Sequence, residues 1–134
     1  MLGEQIAELK GKIIGQRVLD AEGPKLETTI SAKRNVKGTQ VVDTLNFISR
    51  LSTEGLVHGK GRGVLISISS PEMATYTGQG IGRINPSCSA KWLGAHFYRT
   101  SSSDKLAFLN NKVAVLEAEV DMEGNLVQKI WEWK

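Results

Sequence analysis

Disulfides, metal motifs and membrane helices are all missing from this sequence. A single cysteine, Cys88, among 134 residues excludes an intramolecular disulfide and fits a reducing compartment. Two histidines, His58 and His96, cannot make a recognisable metal motif, so neither a metal nor a cofactor is expected. No stretch approaches the roughly 18 apolar residues of a membrane helix, and the opening MLGEQIAELKGK lacks the apolar centre of a secretory signal. A cytoplasmic protein without membrane attachment is the expectation. Basic residues outnumber acidic ones, 17 to 14, but they are scattered and form no block, so nothing points to a nucleic-acid partner. No nucleophile stands at readable spacing from a base, which leaves hydrolytic chemistry without support.

What is present is turn chemistry at regular intervals. DAEGP at 20–24, NVKG at 35–38, STEG at 52–55, SSPE at 69–72, NPS at 85–87, SSSD at 101–104 and MEGN at 122–125 are hairpin-forming clusters. The segments between them are rich in Val, Ile, Leu, Thr and aromatics, and several alternate. Leu26, Thr28, Ile30 and Ala32 share one face of the second segment, and Lys25, Glu27, Thr29, Ser31 and Lys33 the other. In the seventh, Ala114, Leu116, Ala118 and Val120 oppose Val113, Val115, Glu117, Glu119 and Asp121. The gaps are too short for parallel crossovers, so the chain reads as an all-β antiparallel meander. Eight such strands in an open sheet would leave two edges, and closure into an eight-stranded up-and-down β-barrel over residues 1–134 removes both. A two-sheet sandwich is the alternative. Residues 3–10, GEQIAELK, read either as a short N-terminal helical turn or as the start of the first strand, and Asn110 with Asn111 suggests a β-bulge.

Residues 58–83, HGKGRGVLISISSPEMATYTGQGIGR, place Gly59, Gly61 and Gly63 on alternate positions, then Gly78, Gly80 and Gly82. Neither run is a nucleotide loop: the third glycine of a dinucleotide fingerprint would fall at Val64 or Arg83, and Gly55–Gly61 lacks the spacing and the Ser/Thr of a Walker loop. On a strand, alternation means one face without side chains. A four-residue SSPE loop would set Ile68 opposite Met73, and hence Gly63 opposite Gly78, Gly61 opposite Gly80 and Gly59 opposite Gly82. Strand glycines cost about 0.5–1 kcal/mol each relative to alanine, so something must offset them. They serve strand coiling and close approach of a bulky ring, or they leave room for a ligand inside the barrel. The opposite face, with His58, Lys60, Arg62, Thr75, Thr77, Gln79 and Arg83, reads as a solvated exterior, which turns the glycines inward.

The segment AKWLGAHFYRT puts Trp92, Gly94, His96 and Tyr98 on one face, a flat surface with polar handles and an imidazole that could line a ligand site or be packed core. Tyr76 lies on the glycine face and offers the nearest hydroxyl. The candidate ligand-binding set is therefore Tyr76, Trp92, His96 and Tyr98 with Gly61, Gly63, Gly78 and Gly80. Glu117 would be an acid or base if it pointed inward, although its face reads as outer wall. Trp131 and Trp133 share a face that would close the base of the barrel or form a subunit contact.

The stretch Gly23-Pro24-Lys25-Leu26-Glu27-Thr28-Thr29-Ile30-Ser31, leading to Gly38, resembles the opening strands of small microbial proteins with an allene oxide cyclase-like barrel, of the lipocalin and calycin group. The resemblance covers about a third of the chain. It implies an antiparallel barrel with a hydrophobic interior and a tendency to form homo-oligomers, and it carries over no catalytic residue. Three functions fit: a barrel binding a small hydrophobic or amphipathic molecule, an isomerase or cyclase acting in the same cavity through His96, Tyr98 or Glu117, and a non-catalytic assembly domain with a filled core.

Overall fold

The alternation closes into a barrel. The computed structural model describes residues 1–87 and 89–134, so Cys88 lies outside the described residues. Its strands are β1 Leu2–Asp20, β2 Lys25–Val36, β3 Thr39–Leu51, β4 Leu56–Ser67, β5 Met73–Ile84, β6 Ala90–Arg99, β7 Val113–Val120 and β8 Asn125–Trp133. Each runs antiparallel to the next, and β1 pairs with β8, which leaves no free edge. Among the described residues no helix is long and apolar enough to cross a membrane.

Residues 3–10 belong to β1 and form no helical turn. Ala7 pairs with Val36 on one side and with Ile130 on the other, so ladder hydrogen bonds to two neighbours override the local helix-compatible composition. The β2–β3 hairpin turns on Lys37 and Gly38 alone, with φ of 47° and 87°, the double positive-φ geometry whose twist matches the flanking strands. At the β7–β8 turn the Asp121 carboxylate accepts the backbone N–H of Glu123 and of Asn125, both at 2.9 Å.

The β4–β5 hairpin departs from the four-residue expectation. Ile66, not Ile68, stands opposite Met73, so residues 67–72 separate the last paired positions and the register moves by two. The reason is a local polar knot: Ser67 N–H donates to the Glu72 carbonyl at 3.0 Å, and Ser70 Oγ donates to a Glu72 carboxylate oxygen at 3.0 Å. Gly59 therefore faces Gly80, Gly61 faces Gly78, and Gly63 faces Tyr76. The glycine faces still coincide and still point inward.

One end of the barrel is sealed by the β6–β7 connection. Leu106, just before the 3-10 turn Ala107–Leu109, and Leu109, its last residue, are fully buried and pack with Ile6, Val36, Val41, Leu65 and Ile130. Glu72 holds this plug by accepting the Leu106 N–H at 3.0 Å. Asn110 and Asn111 make the turn back into β7 instead of a bulge; Asn111 takes φ of 59°, and Asn110 Oδ1 accepts the Thr100 N–H at 3.2 Å. Nor do Trp131 and Trp133 close this end. Ile130 is the inward residue of that stretch, and Trp133 stands half exposed on the outer wall. A second apolar cluster, Leu9, Ile30, Ala32, Ala118 and Leu126 with Phe47 and Trp92, fills part of the other half.

Backbone approach is closest where β5 meets β6. A Cβ on Gly94 would lie 2.5 Å from the Gln79 carbonyl oxygen, whereas one on Gly15 would meet nothing within 4 Å. We expect Gly94→Ala to cost about 2 kcal/mol in urea denaturation and Gly15→Ala to fall within about 0.5 kcal/mol of the parent. Equal effects at the two sites would mean that the β5–β6 spacing is wrong.

Candidate functional site

The register stacks the interior side chains in rows. Leu45, Gly63, Tyr76 and Tyr98 lie side by side across β3 to β6, followed by Phe47, Gly61, Gly78 and His96, and then Ser49, Gly59, Gly80 and Gly94. Every glycine of the paired runs would bring a Cβ within 3.0 Å of another atom. Trp92 lies over Gly59 and Gly82, His96 and the Ala95 carbonyl crowd Gly78, Tyr76 covers Gly63, and the Leu93 carbonyl sits against Gly80. The bare backbone is thus occupied by rings and neighbouring chain. The void lies beyond those rings.

At mid-height is a charged group that sequence reading passed over. Arg34, 1% exposed, donates from Nη2 to Asp43 Oδ2 at 2.5 Å and to Gln128 Oε1 at 3.3 Å, and from Nη1 to Tyr98 Oη at 3.0 Å. Tyr76 Oη donates to the same Asp43 carboxylate at 2.9 Å, and the Arg34 guanidinium lies 5.5 Å from the centre of the Tyr76 ring. Burial works against the Arg34 charge, but Tyr98, Asp43 and Tyr76 more than offset it and hold the guanidinium charged. Burial pushes the Asp43 carboxyl above its ordinary range, with the Arg34 charge and the Tyr76 and Arg34 hydrogen bonds pulling it back. Burial likewise raises both tyrosines, so they remain neutral hydroxyls. Among the described residues Arg34 Nε is the one buried side-chain nitrogen or oxygen without a partner.

The network fixes His96. Arginine only donates, so Tyr98 Oη accepts from Arg34; among the described residues His96 Nδ1, 3.0 Å away, is the acceptor within reach of the buried Tyr98 proton, so the arrangement that leaves no hydroxyl proton unpaired has Tyr98 donating to it. That leaves the ring proton on Nε2. Burial, and then the Arg34 charge, hold the His96 pKa well below its ordinary value, so the imidazole is neutral. Its ring stacks on Tyr76 with centroids 4.3 Å apart. The same logic orients Gln128: Oε1 faces Arg34, and the amide nitrogen points away from it.

Above this group lies a partly open cavity of about 100 Å³. Ile30, Leu45, Phe47, Trp92, Leu116 and Leu126 supply most of its wall, Gly59, Gly61, Gly78 and Gly80 bring backbone to its surface, and Tyr76, His96 and Gln128 form its polar floor. Of the residues singled out in the sequence, Tyr76, Trp92, His96, Gly61, Gly78 and Gly80 line it. Tyr98 stands behind His96 as a hydrogen-bonding partner, and Gly63 is covered by Tyr76. Glu117 faces out, level with Lys129 on β8, and is exposed, so it is not an acid or base of this cavity. Arg34, Asp43 and Gln128 were missed. Parity was the available signal, since Arg34 continues the Ile30, Ala32 face and Asp43 the Val41, Leu45 face.

No protein-family model matches the chain, and no curated protein matches it. Solved structures do. A protein of unknown function from Clostridium acetobutylicum superposes with a TM-score of 0.81 at 13% identity, covering 98% of both chains. A conserved protein of unknown function from Rhodopseudomonas palustris gives 0.77 at 9%, covering 99% of both. A β-barrel-like protein from Acinetobacter baumannii gives 0.81 at 14%, covering 100% of this chain and 96% of that one. The class defined is a small eight-stranded antiparallel up-and-down β-barrel. At these identities the likeness carries the fold alone, and it does not extend the cyclase resemblance of residues 23–31.

Two outcomes follow from the polar group. Asp43→Asn strands a buried cation and should cost about 3–5 kcal/mol, whereas the double change Arg34→Met/Asp43→Leu should cost less than Asp43→Asn alone. A double variant less stable than Asp43→Asn would mean that the pair itself stabilises the fold. For His96, the unfolded chain takes up a proton below about pH 6.5 and the folded chain does not. Stability is therefore complete above that pH and falls as the pH drops towards the folded value. Between pH 7.5 and 5.5 the parent should lose roughly 1 kcal/mol more than His96→Gln in urea titrations.

Proposed function

We propose that the barrel binds a small, largely apolar molecule in the cavity above His96. One observation carries this reading: an apolar cavity survives at one end of a barrel whose other end is plugged, and a few convergent polar groups line its floor. A single water needs about 10–15 Å³, so the cavity of about 100 Å³ has room for an occupant several times larger than water. Phe47 and Trp92, in edge contact with centroids 5.8 Å apart, offer flat walls that suit a planar ligand.

A second reading, isomerisation or cyclisation of such a molecule in place, is favoured by the His96–Tyr98 contact at 3.0 Å, which gives the ring a defined tautomer and a hydrogen-bonded support. Binding is common to both readings. Ala118 lies on the cavity wall, and Ala118→Leu should fill it with little loss of stability. Isothermal calorimetry with toluene, styrene and indole should show binding to the parent and at least tenfold weaker binding to Ala118→Leu. Absence of binding by the parent to all three at their solubility limits would overturn the proposal.

A further inference from the structure

The floor of the cavity is one-sided in its hydrogen bonding. His96 and Gln128 are 8% and 7% exposed, both line the cavity, and the hydrogen-bond network settles which of their atoms remain free. His96 Nδ1 is taken by Tyr98, which leaves Nε2–H. Gln128 Oε1 is taken by Arg34, which leaves its amide N–H groups. Neither nitrogen has a hydrogen-bond partner among the described residues, and neither is wholly enclosed, since the one enclosed unpartnered atom is Arg34 Nε. The remaining polar groups are committed: the Tyr76 hydroxyl donates to Asp43, and both Asp43 oxygens receive hydrogen bonds. The unpartnered N–H donors of the floor are therefore those of His96 and Gln128, and its one hydroxyl, on Tyr76, has already given its proton to Asp43.

The charge of the site is also closed. Arg34 and Asp43 neutralise each other at 2.5 Å, and Tyr98 and Gln128 insulate the guanidinium from the cavity. A charged ligand would lose its hydration on entry and find no unpaired opposite charge at the floor; Lys60 and Arg62, which also line the cavity, alternate with the glycines on the outward parity of β4 and are exposed to water. A neutral acceptor loses little and gains two donors that otherwise face unfilled space.

We infer that the ligand of this cavity is a neutral molecule with a hydrogen-bond-accepting oxygen, such as a ketone, aldehyde or ester carbonyl, held by His96 Nε2–H and the Gln128 amide, with its apolar body against the wall that Phe47 and Trp92 form together. This rests on the binding function proposed above and specifies the chemistry of its occupant. Ligands that would donate to the floor, such as amines, leave the His96 and Gln128 N–H groups without an acceptor. Carboxylates meet the donors but lose their hydration.

The test uses shape-matched probes. Acetophenone and α-methylstyrene differ only in C=O against C=CH2, and benzoate adds the charged case. Calorimetry on the full chain should show acetophenone bound about tenfold more tightly than α-methylstyrene and more tightly than benzoate. Gln128→Met and His96→Phe should each reduce that preference to threefold or less while α-methylstyrene binding changes little. Circular dichroism and urea titration check that both variants fold, and Gln128→Met keeps the shape of the side chain should His96→Phe fail. Equal or tighter binding of α-methylstyrene by the parent would overturn the donor assignment while leaving the binding function intact. Failure of all three probes to bind would instead overturn the binding function. Tighter binding of benzoate would show that the floor recognises an anion, and the inference would fall.

Discussion

An arginine and an aspartate face each other inside a barrel where no bulk water reaches them, and the arrangement of the interior depends on that contact. Burying two charges costs more than their attraction returns unless the remaining donors and acceptors are satisfied. Here nearly all of them are. Asp43 receives Arg34 and Tyr76, Arg34 reaches Tyr98 and Gln128 as well, and one nitrogen, Nε, is left over. These partners come from β2, β3, β5, β6 and β8. A slip of any of those strands by one residue would turn its polar member to the outside and strand the rest. The group thus selects register in a barrel whose glycine-rich strands offer few side chains to do so.

Glycine explains why those strands come so close. Gly59, Gly80 and Gly94 lie abreast on β4, β5 and β6, and a Cβ on Gly94 would collide with the backbone of β5. Rings then occupy the bared surface: Tyr76 against Gly63, His96 against Gly78, Trp92 over Gly59 and Gly82. Aromatic seating and the cavity are therefore linked. The rings lie flat against the wall because no side chain lifts them off it, and the space they leave at the barrel axis is what the apolar residues of β2, β3, β7 and β8 fail to fill.

Much of this was legible in the sequence. Turn clusters at hairpin spacing and period-two alternation carry the strand count and the closure, because both depend on local chemistry that one chain displays. The inward set of β6, Trp92, Gly94, His96 and Tyr98, follows from parity alone. What parity cannot show is loop length where side chains rebuild the turn, as Ser67, Ser70 and Glu72 do between β4 and β5. Asn110 and Asn111 misled for a related reason: after SSSD the chain does not return to a strand but drops Leu106 and Leu109 into the barrel mouth. Arg34 was hidden differently. It sits in a Lys-Arg-Asn run that reads as a solvated face, and only its alternation with Ile30 and Ala32, set against Asp43 alternating with Val41 and Leu45, marks the two as an internal pair.

The chain of hydrogen bonds also gives the interior a direction. Each proton position follows from the one before, starting at Arg34, which can only donate: Tyr98 must accept from it, His96 Nδ1 must accept from Tyr98, and Nε2 is left to donate into the cavity. Reversing the Tyr98–His96 link would leave the buried Tyr98 proton without an acceptor, which costs on the order of 1–3 kcal/mol. A permanent positive charge that does not line the cavity therefore bears on the polarity the cavity presents, by ordering neutral groups between itself and the void. Proximity to a buried cation would ordinarily favour anions. With Asp43 closing the charge and Tyr98 and His96 relaying only the donor sense, the site keeps the hydrogen-bonding preference of an arginine without its charge.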